Sequence, residues 1–186
     1  MSALPEVRRA DKAMSEEETR ALLARGIVGR LATADAAGQP YVMPLLYVWD
    51  GREIWLHNAV VAGHLRANID ANPRVCFEVD EPGPVFAYGR FECDTSIAYE
   101  SAIAFGRIRV VEDRAAKETF CRALMAKYGP GGADRPPGFF PRLGQITVYA
   151  VTVDRMTGKR TPLPATAEQW PAIDRTATPN AKPPES

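Results

Sequence analysis

Both histidines of the chain fall in one short stretch, Trp55-Leu56-His57-Asn58-Ala59 followed by Val60-Val61-Ala62-Gly63-His64-Leu65-Arg66. The order reads as a strand end, a small-residue turn and the first turn of a helix that stops at Asn72-Pro73. A helix start leaves its first backbone N–H groups without intrahelical partners, and such an end attracts anions, phosphate above all. His64 would gain charge as an anion approached, since its ordinary pKa lies near 6.5. Arg66 could pair with an oxyanion in bidentate fashion. His57 could line the adjoining pocket or receive a proton. The plainer alternatives are a solvent-facing histidine, a surface arginine and a satisfied strand-end histidine.

Other chemistries find less support. Lys+Arg and Asp+Glu both number 23. A zero net charge argues against a general nucleic-acid or anionic-membrane binder, which needs a basic excess. No apolar run approaches a membrane span. Met1 to Met14 is charged and lacks an apolar signal core. The expectation is a soluble, cytoplasmic protein. Cys76, Cys93 and Cys121 are odd in number, far apart and without a CxxC pair. They read as reduced structural thiols, and no metal site is expected.

The 186 residues suffice for one domain with a real core. Ser15-Glu16-Glu17-Glu18 has the form of a capping box and predicts a helix over 16–25 that stops at Gly26. β-branched content predicts a strand from Ile27 to Thr33, and a turn at Asp35–Gln39 leads into a second strand, Tyr41–Trp49. Pro44 inside that strand removes a ladder donor, so it marks an edge, a bulge or an opening. Asp50-Gly51 is a hairpin turn before a strand over 53–58. Leu65 and Ile69 share a helix face over 63–71. Val75, Phe77 and Val79 alternate along a strand over 74–79, and Asp80–Pro84 reads as a loop. Two long strands near 85–94 and 98–111, a helix over 114–128 capped by Asp113, a surface loop over 129–142 and a strand over 145–154 complete the series. The domain plan is an N-terminal extension (1–14), a body (15–156) and an extended, loosely packed tail (157–186) that Trp170 could dock. Six or seven strands joined by hairpins, with three helices, give a mainly β fold: an antiparallel barrel with flanking helices. A Rossmann fold would need alternating βα units and a Gly-rich turn, and neither is present.

Taken in order, Gly29-Arg30-Leu31-Ala32-Thr33, Gly38 to Leu45, Trp55 to Ala59 and Asn72 to Asp80 resemble the pyridoxamine 5'-phosphate oxidase-like, FMN-binding split-barrel family. Tyr99 to Arg107 and Leu124 to Tyr128 fit its nitroimidazole-resistance (Nim-type) branch. The resemblance implies a six-stranded antiparallel split β-barrel and a homodimer with FMN in the groove between subunits. By position, Met43, Pro44 and Leu45 would line the isoalloxazine. Leu56, His57, Asn58 and Ala59 would line the ribityl and phosphate side. Gly63, His64 and Arg66 would hold the phosphate, and Tyr99 and Ser101 would reach the flavin from the partner side. Tyr41 and Leu46 stand where the oxidase proper has Arg and Lys, and Ala62-Gly63-His64 replaces its Ser-Arg-Lys clamp. Pyridoxamine phosphate oxidation is therefore not expected.

The implied function is an FMN-dependent oxidoreductase, flavin reductase- or nitroreductase-like, acting on a small organic acceptor with NAD(P)H as the natural reductant. Its catalytic residue stays open, with His57 the candidate. The alternative is a non-catalytic protein that binds or senses FMN or haem, with His57 or His64 as axial ligand. The deazaflavin cofactor F420 is a third candidate, although so acidic a molecule asks for a more basic site.

Overall fold

A computed structural model describes residues 5–129, 136 and 138–176. Its elements are β1 (Ala13–Met14), α1 (Glu16–Arg25), β2 (Val28–Ala34), β3 (Pro40–Trp49), β4 (Glu53–Ala59), α2 (His64–Ala71), β5 (Arg74–Ala87), β6 (Thr95–Val111), α3 (Arg114–Tyr128) and β7 (Ile146–Thr161). Local chemistry starts the helices where the sequence predicts. Ser15 accepts from the Glu18 N–H while Glu18 accepts from the Ser15 N–H, a closed capping box. Asp113 caps α3 by accepting from the Ala116 N–H at 2.7 Å.

Every strand pairing is antiparallel. The order β7-β4-β3-β2-β5-β6 returns to β7, which makes a ring of six strands, with β1 added against the end of β7. Alternation along each strand sends one set of side chains inward. Leu31, Tyr47, Ile54, Leu56, Phe77 and Val151 are fully buried there. Gly29 also points inward, and a Cβ on it would overlap the Phe77 ring. Leu22 and Leu23 of α1, and Leu65 and Ile69 of α2, join the same core. The buried Asn68 amide donates to the Thr33 hydroxyl at 3.0 Å and ties α2 to β2. α3 lies outside the ring, where Phe120 packs with Val48, Val111, Val148 and Ala150 in a second cluster.

β3 changes partner along its length. Pro40–Leu46 pair with β2, whereas Tyr47–Trp49 pair with β4. The ring is split between the first part of β3 and the end of β4. The Tyr128 hydroxyl fills the parting point, 2.7 Å from the Tyr47 carbonyl and 2.8 Å from that of Ile27, and accepts from the Tyr47 N–H at 3.3 Å.

Four segments differ from the sequence reading. The strand expected near 85–94 ends at Ala87, and 88–94 turns back before β6, with the Tyr88 N–H donating to Asp94 O at 2.9 Å. Asp80–Pro84, expected as a loop, lies within β5, and the register shifts between Pro82 and Val85. Such an irregularity admits prolines without loss of ladder bonds. β7 continues to Thr161, seven residues beyond 154, because β1 and β6 give 158–161 partners. The tail beyond it is held down: the Trp170 N–H donates to Ala87 O at 3.0 Å, Arg175 N–H to Tyr88 O at 2.6 Å, and Thr176 Oγ1 to Asp94 Oδ2 at 2.9 Å. Of the expected 129–142 loop, 130–135 and 137 lie outside the described residues, as do 1–4 of the extension and 177–186 of the tail. Among the described residues no helix is long and apolar enough to cross a membrane, and no His/Cys/Asp/Glu group could hold a metal ion.

Candidate functional site

α2 begins without a side-chain cap. Gly63 occupies the N-cap in an extended conformation, and the first turn carries no acidic residue. The N–H groups of His64, Leu65 and Arg66 therefore present a bare positive helix end. The Tyr41 ring, at the start of β3, lies 6.0 Å from the exposed His64 imidazole. The start of α2 and the start of β3 are thus neighbours, and the space between them is the candidate cleft.

On the β3 side, Met43 and Leu45 are half-buried against the core, and Pro44 between them is exposed on the outer face. Their register partners are Leu31, Gly29 and Arg30 of β2.

On the β4 side, alternation separates the candidates. The Leu56 side chain is fully buried inside the ring, which leaves its backbone alone to meet a ligand. Asn58 shares that inner face. Its Oδ1 is buried without a hydrogen-bond partner, while its side chain meets the Tyr149 phenol. His57 points the other way, toward α3, with its ring 5.6 Å from that of Phe120. Its Nδ1 is also buried and unpartnered, and burial holds its pKa below the ordinary value, which favours the neutral imidazole. Ala59, the last residue of β4, is exposed.

Arg66 is already engaged. Both oxygens of Asp70 lie 2.9 Å from its Nε, one helical turn on, so its charge is neutralised within α2. The Arg66/Asp70 spacing is visible in the sequence and was the signal for that pair. Tyr99 and Ser101 lie on β6 and pair with β5 and β7, not with β3, β4 or α2. Ser101 Oγ donates to Lys159 O at 3.4 Å, and Lys159 Nζ lies 5.7 Å from the Tyr99 ring centre. Within one chain the contacts join Tyr41 to His64 and to Met43, whose Sδ lies 3.9 Å from the Tyr41 hydroxyl, while Leu45, Gly63 and Asn58 lie on the adjoining stretches of β3, α2 and β4. His57 and the β6 pair stand apart from the cleft.

Such a cleft can hold an oxyanion on backbone amides and an imidazole, and a flat apolar body against β3. It contains no paired acid and base. Burial raises the pKa of Cys76 and Cys121, so neither is an activated thiolate.

A sequence model described as pyridoxamine 5'-phosphate oxidase matches residues 15–160. A search of curated proteins finds no match. Among solved structures, the chain is similar to a protein of Bacteroides thetaiotaomicron provisionally named for 5-nitroimidazole antibiotic resistance (23% identity, 79% of this chain and 85% of that one, TM-score 0.66). It is also similar to an FAD and haem binding protein of Mycobacterium smegmatis (22% identity, 84% and 78%, TM-score 0.68). A flavocytochrome of Azotobacter vinelandii aligns over 97% of this chain and 92% of its own, at 18% identity and a TM-score of 0.71. At these identities the likeness carries the fold.

Proposed function

This chain belongs to the pyridoxamine 5'-phosphate oxidase family, and on that premise we propose that it is an FMN-dependent oxidoreductase acting on a small organic acceptor, not on pyridoxamine phosphate. The observation that carries the reading is the uncapped N-terminus of α2 beside Tyr41 at the start of β3. The amides of His64, Leu65 and Arg66 would hold the phosphate, with the exposed His64 imidazole beside it as a further donor. Met43 and Leu45 would support the ring from one side, and the orphaned Asn58 Oδ1 would accept from a ribityl hydroxyl. The flavin, when bound, supplies hydride chemistry, while the chain supplies position and a dry apolar wall. Nitroaromatic compounds suit such an acceptor site, with NAD(P)H as the reductant.

We also read the functional unit as a homodimer. Val28, Val42 and Leu46 are each more than a third exposed on the outer face of β2 and β3, and Ile27 adjoins them at 67%. Contiguous exposed apolar residues mark interaction surfaces. A second copy would bring its own Tyr99 and Ser101 toward the cleft.

The test is the absorption spectrum of the purified protein, followed by anaerobic addition of NADH or NADPH. Flavin bands that bleach on addition support the reading. A colourless protein that takes up no FMN overturns it. A Soret band instead favours a haem-binding role, for which the neutral His57 with its unpartnered Nδ1 is the chain's own argument.

A further inference from the structure

Arg74 of β5 and Arg107 of β6 are direct cross-strand neighbours. Like charges in that position repel. The pair is poorly neutralised. Among the described residues the Arg74 side chain makes no ion pair, and Arg107 has a single long one, 3.8 Å to Asp154. Both line a groove of ≈ 320 Å³ on the outside of the ring, and Asp154 is the one carboxylate among its lining residues.

The floor of this groove is apolar. Ala32, Cys76 and Phe105 form one cross-strand row over β2, β5 and β6, next to the arginine row. The local backbone is also irregular. The β6–β7 register shifts between Phe105 and Gly106, and Asp154 is the residue left over on β7. A Cβ on Gly106 would overlap the Thr152 carbonyl, so the strands approach too closely there for any side chain. Bulges of this kind re-aim a side chain, here the carboxylate at the groove's edge.

We propose that this groove binds a small organic phosphate, its oxyanion between the Arg74 and Arg107 guanidiniums and its apolar body on the Ala32–Cys76–Phe105 row. The anion removes the repulsion between the two arginines, and paired guanidiniums suit phosphate oxygens. Asp154 then accepts from a hydroxyl of the same ligand. The site is separate from the cleft at α2 and does not depend on the flavin reading.

The groove carries its own reporter, the half-buried Cys76, and the exposed Cys93 serves as an internal control. Folded protein is labelled with a maleimide, and each cysteine is followed by mass spectrometry. Inorganic pyrophosphate is the probe, against sodium chloride of equal ionic strength. Pyrophosphate is expected to slow Cys76 several-fold and to leave Cys93 unchanged. Arg74→Gln with Arg107→Gln is expected to abolish that protection, while Arg107→Lys retains part of it. Circular dichroism establishes that each variant is folded. Equal protection by chloride, or protection that survives in the double variant, overturns the proposal.

Discussion

The hydroxyl of Tyr128 lies 2.7 Å from the carbonyl oxygen of Tyr47, where β2 and β3 part. It also meets Ile27 O and the Tyr47 N–H, groups that a continuing β2 would have paired. One side chain from α3 thus replaces a missing rung of the ladder and holds the base of the split. Beside it, the buried Lys127 Nζ has no hydrogen-bond partner and stands 4.0 Å from the centre of the Tyr47 ring, a cation–π contact that partly offsets its desolvation.

Tyr128→Phe keeps the ring and removes the hydroxyl. Up to three backbone groups lose a partner, and a buried unsatisfied group costs about 1–3 kcal/mol. Urea denaturation is expected to give a loss in that range. A change below about 0.5 kcal/mol, the ordinary scatter of surface substitutions, would show that water replaces the hydroxyl without penalty.

Gly63→Asp tests the helix end. Gly63 has φ −128°, and a Cβ there meets nothing within 4 Å, so the backbone accepts the change. A carboxylate at the N-cap satisfies the free amides and occupies the place of a phosphate. The thermal midpoint is expected to hold or rise while FMN affinity falls by about tenfold or more, from repulsion between neighbouring anions in a partly buried site. A stable variant with unchanged affinity removes α2 from the phosphate site.

His57 makes stability depend on pH. Burial lowers its folded pKa, so as pH falls below 6.5 the unfolded chain takes up the proton first. Its contribution is complete above the unfolded value and declines as pH falls from there through the folded one. His57→Gln is expected to flatten the stability curve between about pH 6.5 and 5. Parallel curves for the two proteins would mean that the imidazole keeps its ordinary pKa in the fold.

Leu46→Glu tests the apolar outer face. Leu46 is 41% exposed and pairs with Val28 at the edge of the patch. A charge buried between two copies is strongly unfavourable, whereas on a monomer it is solvated. Sedimentation velocity is expected to convert a dimer to a monomer with little change in the thermal midpoint at low concentration. A dimer that persists directs the interface elsewhere.

The helices were the most legible part of the chain. The Ser15/Glu18 box, the Asp113 cap and the Leu65/Ile69 spacing act over three or four residues, within reach of sequence reasoning. Pro44 correctly signalled an irregular edge, since β3 changes partner three residues later. The continuation of β5 through Pro82 was not legible, because its ladder depends on β6 residues 95–101, far along the chain. The candidate site divides in the same way. Alternation alone sends His57 and Asn58 to opposite faces, but α3 decides what His57 meets, through Phe120. Arg66 has the residue type an anion site asks for, but Asp70 one turn on engages it, a pairing its i,i+4 spacing carries.

The ring closes through the last strand. β7 pairs with β4 over 53–59 and with β6 over 99–111, so two open edges wait for residues 146–161. During synthesis the chain must carry those edges until residues 146–161 have left the ribosome. Unpaired edges invite pairing with other chains, and contacts so distant in sequence form slowly. A chain stopped before residue 146 would display both edges at once, and aggregation is its expected fate.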